Sequence, residues 1–88
     1  MSLFDDVVIF SADWCSGCKT VKSTLDARGV TFREKDIDIE SVMEEAAQLG
    51  IRGIPVTMFY KNDVVVQTVV GGTPNAIKSI IEFIGGGQ

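Results

Sequence analysis

Four residues after the apolar run Val7-Val8-Ile9-Phe10 comes the hexapeptide Trp14-Cys15-Ser16-Gly17-Cys18-Lys19, which carries the only two cysteines of the chain. If a helix opens at the first cysteine, this spacing brings the two sulfurs within bonding reach, so one pair can cycle between dithiol and disulfide. A bridge across two intervening residues closes a loop that is already short and removes little chain entropy. Structural stapling is therefore a weak reason for the pair. With 88 residues, 45% of them apolar, one small domain spanning residues 1–88 can bury a core without cross-links. Redox exchange through the thiols is the stronger reading.

The flanking sequence alternates strand and helix signals with no linker-like break or repeat. Residues 6–11 are apolar on both faces, as in a central strand. From Cys15 to about Arg28, Val21 and Leu25 mark an apolar helical stripe, while Lys19, Lys22 and Asp26 can face water, and Gly29 suits a C-terminal cap. Val30 to Ile37 reads as a second strand, parallel to the first. Ser41-Val42-Met43-Glu44 has the spacing of a capping box, opening a helix that runs to Leu49 and stops at Gly50. Ile54 to Tyr60, a polar turn at Lys61-Asn62-Asp63 and the β-branched run Val64 to Val70 form an antiparallel hairpin. Thr73-Pro74 then supplies an N-cap and a first-turn proline for a helix with Ile77, Ile80, Ile81 and Ile84 on its apolar side. The glycine-rich end, residues 85–88, reads as a frayed tail.

Charge and composition narrow the function further. Twelve acidic against eight basic residues give a formal net charge of −4, and the basic residues are scattered, which argues against a nucleic-acid partner. Two cysteines and no histidine fall short of the four ligands of a zinc or iron–sulfur site, so no bound metal is expected. No segment approaches the length of a membrane span and no export signal is visible, so the expectation is a monomer in a reducing cytoplasm, away from membranes.

The order β-α-β-α-β-β-α, a mixed four-stranded sheet flanked by three helices with the cysteine pair after the first strand, is similar to the thioredoxin and glutaredoxin family. Gly50-Ile51-Arg52-Gly53-Ile54-Pro55, Lys61-Asn62 and Trp14 ahead of the first cysteine resemble thioredoxin. The length, and a start directly at the active-site strand, resemble glutaredoxin. The resemblance implies an α/β thioredoxin fold and thiol–disulfide exchange with disulfide-containing proteins. It implies no bound cofactor, with electrons coming from NADPH through a thioredoxin-reductase-like flavoenzyme or from glutathione. A redox-inert adaptor on the same fold is the competing class.

Cys15, at the helix N-terminus, is the expected nucleophile and Cys18 the resolving thiol. An ordinary cysteine of pKa near 8.5 is about 3% ionised at pH 7, and one lowered to about 7 is half ionised, a gain of roughly sixteenfold. Part of that gain is offset because nucleophilicity falls with pKa, by about four- to sixfold over the same shift. For partner docking the resemblance points to Trp14, Ser16, Gly17, a cis Ile54-Pro55 step that leaves the Ile54 backbone free, and Gly71-Gly72 as a third edge. Taken alone, an Ile-Pro step is more commonly a trans proline opening an edge strand and Gly71-Gly72 a plain turn; the pairing with Trp14-Cys15-Ser16-Gly17-Cys18 reverses the first reading, and Trp14, beside Cys15 in a loop, reads as exposed rather than as a core aromatic. Two departures stand out. Ser16-Gly17 replaces the Gly-Pro of thioredoxins and the Pro-Tyr of glutaredoxins, and Ile9 stands where thioredoxins usually carry a buried aspartate. For glutathione, Lys19, Lys22 and the helix start at Thr73 to Asn75 offer partial recognition, although the neutral Thr73 and Asn75 weaken the contact to its amine.

Overall fold

A computed structural model describes residues 3–85. Strands β1 (Asp6–Ser11), β2 (Arg33–Asp36), β3 (Val56–Lys61) and β4 (Val64–Val70) alternate with helices α1 (Ser16–Ala27), α2 (Glu40–Gln48) and α3 (Pro74–Gly85). The sheet order is β2-β1-β3-β4. β1 runs parallel to β2 and antiparallel to β3, and β3 pairs antiparallel with β4, so the sheet is mixed. The element order and the mixed sheet are those read from the sequence, while Gly85, read as the start of a frayed tail, is the last residue of α3, and the rest of that tail, 86–88, lies outside the described residues.

Strand alternation sends successive side chains of the central strands to opposite faces. On one face Val7, Ile9, Phe59 and Val69 meet Val21 and Leu25 of α1 and Ala76, Ile80 and Ile84 of α3. On the other, Val8, Phe10, Val56 and Met58 meet Ala46 of α2. β1 is apolar throughout because it lies between these two layers. The two-residue turn of the hairpin puts Asn62 and Asp63 at φ of 52° and 65°, the left-handed geometry that matches strand twist and that Asn and Asp tolerate.

Three further expectations differ from the structure. β2 begins at Arg33 rather than Val30, because Val30 N–H is taken by Leu25 C=O in the turn that ends α1, while Val30 and Phe32 pack against the core beside the sheet. Ser41 does not cap α2. The helix starts earlier, with Ile39 at the N-cap making no side-chain bond and Met43 N–H donating to Ile39 C=O, so Ser41 already lies in the first turn. The preceding bend is organised by Asp36, whose carboxylate accepts from Asp38 N–H at 2.9 Å. Finally, β3 begins at Val56, leaving Ile54 and Pro55 in the connection before it.

Candidate active site

Cys15 is the N-cap of α1, with an extended backbone at φ −99° and ψ 111°. Its Sγ accepts a hydrogen bond from Cys18 N–H at 3.1 Å, one of the donors that a helix start leaves without a backbone partner. Cys15 and Cys18 are joined in a disulfide, with their Cα atoms 5.3 Å apart. The two sulfurs differ in environment: Cys15 is partly exposed, whereas Cys18 is fully buried on the stripe that continues through Val21 and Leu25. A backbone donor aimed at Cys15 and the positive end of the helix both favour a negative sulfur there.

The residues around the pair come from three further segments. Ile54-Pro55 is a cis step, and Pro55 is buried against α1: a Cβ built on Gly17 would stand 3.4 Å from Pro55 Cδ. Among the described residues, neither the N–H nor the C=O of Ile54 enters a backbone hydrogen bond. Gly71 lies at φ +95°, a conformation that favours glycine, and its N–H donates to Pro55 C=O at 2.8 Å, which ties the β4–α3 connection to the proline. Gly72 faces Gly17 so closely that an added Cβ would stand 2.6 Å from its carbonyl oxygen. The close approach expected of this glycine is therefore made within the chain. Thr73 Oγ1 accepts from Ala76 N–H at 3.3 Å and caps α3.

Trp14 is 67% exposed, and its Nε1 donates to Asp38 Oδ2 at 3.0 Å. The sequence carries no local signal for Asp38, which lies 24 positions from Trp14. Beside the disulfide, Trp14, Ile37, Met43, Ala46, Ile51 and Ile54 line much of a mainly apolar groove of about 440 Å³, with Arg52 also in its wall. Ser16 is exposed in the first turn, as is Lys19, whereas Lys22 is engaged by Glu34 at 2.7 Å. Glu34 also accepts from the buried Ser11 hydroxyl at 2.7 Å. The Lys22 ammonium first, then the Ser11 hydroxyl, holds the Glu34 carboxyl below its ordinary range against the opposing effect of burial.

Comparison with known proteins gives this geometry a context. The family model described as Thioredoxin matches residues 4–83. Thioredoxin Asp f 29 of Aspergillus fumigatus is 33% identical over 81 residues, which is 86% of this chain and 74% of that protein. The crystal structure of reduced Schistosoma mansoni thioredoxin pre-protein superposes with a TM-score of 0.71 at 28% identity, covering 93% of this chain and 77% of that one. The glutaredoxin-like NrdH-redoxin of Escherichia coli shares the fold at a TM-score of 0.69 and 21% identity, with 86% of this chain and 95% of that one covered. A family match along almost the whole described chain, with a cysteine pair at disulfide distance, goes beyond shared architecture: the chain belongs to the thioredoxin family and is a thiol–disulfide oxidoreductase acting on protein disulfides.

Proposed function

We propose that Cys15 is the attacking thiol and Cys18 the resolving thiol of a protein disulfide reductase that draws its electrons from NADPH through a thioredoxin-reductase-like flavoenzyme. The observation that carries this assignment is the asymmetry of the pair, with Cys15 partly exposed and its Sγ accepting from a helix N–H, and Cys18 buried behind it. In the forward cycle, Cys15 thiolate attacks one sulfur of a partner disulfide, forming a mixed disulfide and releasing the other partner sulfur as a thiolate, which takes up a proton. Cys18 then loses its proton and attacks Cys15 Sγ. The Cys15–Cys18 bond forms, the bond to the partner breaks, and the second partner sulfur leaves as a thiolate and is protonated. Two electrons pass to the partner, and the reductase returns them to the pair.

The second step is helped by holding Cys18 three positions from Cys15 on a fixed helix, which makes the attack intramolecular. For docking, the unpaired Ile54 backbone suits an extended partner segment, whose side chains meet Trp14 and the apolar groove. Ser16 and Gly17 lie on the approach to Cys15, and Gly71-Gly72, with Gly72 packed against Gly17, form a third edge. Residues 1–88 are read as one domain, supported by a family match over 4–83, acting as a monomer in a reducing cytoplasm where a catalytic disulfide is re-opened after each cycle. Among the described residues no helix is long and apolar enough to cross a membrane.

NADPH consumption with a disulfide-bonded protein substrate tests the assignment in two parallel assays, one regenerated by thioredoxin reductase and the other by glutathione with its reductase. Turnover is expected in the first assay, with a loss of at least about a thousandfold in Cys15→Ser, the scale seen when a nucleophile is removed. Turnover confined to the glutathione assay would reassign the electron donor, and undiminished function of Cys15→Ser would support the adaptor reading.

A further inference from the structure

Thr57, on β3, is fully buried, and its Oγ1 is the buried side-chain oxygen or nitrogen without a hydrogen-bond partner among the described residues. Hydroxyls in such positions are normally paired, because burial without a partner is unfavourable. In the sheet Thr57 stands between Ile9 of β1 and Val69 of β4, both of which belong to the apolar layer under α1 and α3. Along β3, Thr57 and Phe59 share that same face, two positions apart. Pro55 lies against Gly17 at the start of α1, and Phe59 packs with Val21 and Leu25 further along it. Cys18 is the buried residue of α1 between Gly17 and Val21, on the helix that covers the face to which Thr57 belongs.

Elimination narrows the partner. Apart from Thr57, the buried side chains containing a heteroatom among the described residues are Ser11, Cys18 and Met58. The Ser11 hydroxyl is turned to Glu34 and makes no hydrogen bond with Thr57, and Met58 belongs to the opposite face. Ile9, directly across the sheet, offers no polar group. That leaves the Cys18 sulfur. A disulfide sulfur accepts hydrogen bonds poorly, whereas a thiolate accepts them well. We infer that the Thr57 hydroxyl, unpartnered while the disulfide is closed, donates to Cys18 Sγ in the reduced protein, directly or across one water, and so makes the disulfide easier to reduce.

The inference rests on the proposed cycle and adds one event to each half of it. On reduction the Cys15–Cys18 bond opens, and Cys18, once its proton has passed to water, is held as a thiolate by the Thr57 O–H. When Cys18 attacks Cys15 in the mixed disulfide, that hydrogen bond breaks as the new S–S bond forms, the partner sulfur departs with its bonding electron pair and is protonated, and the hydroxyl is left unpartnered again. The hydrogen bond therefore belongs to the reduced state alone.

The test is the dithiol–disulfide equilibrium of the isolated protein in glutathione redox buffers, which requires no partner or reductase. Thr57→Val removes the hydroxyl at nearly constant shape. It is expected to shift the equilibrium about tenfold toward the disulfide, equivalent to a potential about 30 mV more negative. Thr57→Ser, which keeps the hydroxyl, should stay near the wild-type value. In a Cys15→Ser background, Thr57→Val should also move the ionisation of Cys18 to higher pH, as read by thiolate absorbance. A purely structural threonine would change the stability of the oxidised and reduced forms equally and leave the equilibrium unmoved, and that result overturns the inference. Should the valine variant fail to fold, Thr57→Ala carries the same expectation without added bulk. Because the measurement uses only the two thiols and glutathione, loss of partner turnover on its own would challenge the proposed cycle and not this hydrogen bond.

Discussion

The two faces of the sheet are built to different standards of closure. Beneath α1 and α3, Ile9, Val21, Leu25, Phe59 and Ile80 are fully buried, and Phe4, Phe59 and Phe83 form an aromatic group with ring centroids 4.8–5.8 Å apart. Beneath α2, Ala46 is the buried residue the helix contributes, while Ile39, Met43 and Leu49 in and around that helix remain half-exposed. The Lys35–Glu45 pair at 2.7 Å links α2 to β2, and Lys35 also lies 5.7 Å from the Phe10 ring centroid. A small chain has too little apolar material to seal both layers equally. Here the sealed layer carries α1 and the buried Cys18, and the open layer leaves apolar surface beside Cys15.

Truncating one large side chain on each face tests that contrast most severely. Phe59→Ala is expected to cost about 3–5 kcal/mol of stability, enough to unfold a marginal domain, because the ring is fully enclosed between β3, α1 and α3. Met58→Ala, on the α2 face and 8% exposed, should fall toward the lower end of the about 2–5 kcal/mol range for such truncations. Equal losses in denaturant titrations of the two variants would remove the distinction between the faces.

A smaller effect is expected where the sealed layer meets the site. In Gly72→Ala the new Cβ would lie 2.6 Å from Gly17 O and 2.8 Å from its Cα, both backbone atoms with no rotamer to relax. A loss of about 1–3 kcal/mol follows from such overpacking. The start of α1 should shift with it, so disulfide-reduction turnover is expected to fall as well. Gly85→Ala, in a helix and with nothing within 4 Å of the added Cβ, is the stability control. Equal stability of Gly72→Ala and Gly85→Ala would mean that the Gly17–Gly72 contact relaxes without strain.

What could be read from the sequence follows the reach of the interactions. β1 at Asp6–Ser11, β4 at Val64–Val70 and the Thr73 cap of α3 match their local patterns, because β-branched runs and N-cap chemistry act within a few residues. The Ser41 cap failed because its spacing also occurs inside a helix, and a tertiary turn made by Asp36 set the start instead. At the site, the cysteine pair, Trp14 and Ile54-Pro55 stand out as short motifs. Asp38 and Thr57 do not, since one acquires its partner across 24 positions and the other is notable for lacking one. The solvent exposure of Val64, Val65 and Val66 in succession was equally hidden, as it depends on an edge strand and on a register shift opposite Phe59 and Tyr60.

The smallest expected effect concerns the margin of the sealed face, where Glu34 accepts from both Lys22 and Ser11. Because the folded state holds the Glu34 carboxyl below its ordinary range, the native protein binds fewer protons than the unfolded chain as pH falls through that range. The contribution is therefore complete above a pH of about 4 to 5, where the unfolded carboxyl is ionised, and is lost progressively as pH drops toward the lower folded value. Asp6, held down by Arg33, acts in the same direction. The Glu34 and Lys22 side chains are 38% and 21% exposed, so solvent screening limits the pair to about 1 kcal/mol or less. Glu34→Gln should leave stability at pH 7 within about 1 kcal/mol of wild type, since its side-chain carbonyl can still accept from Ser11, and should flatten the acid limb of a stability–pH curve. An acid limb identical in the variant and wild type would assign the acid sensitivity of this face to other carboxylates.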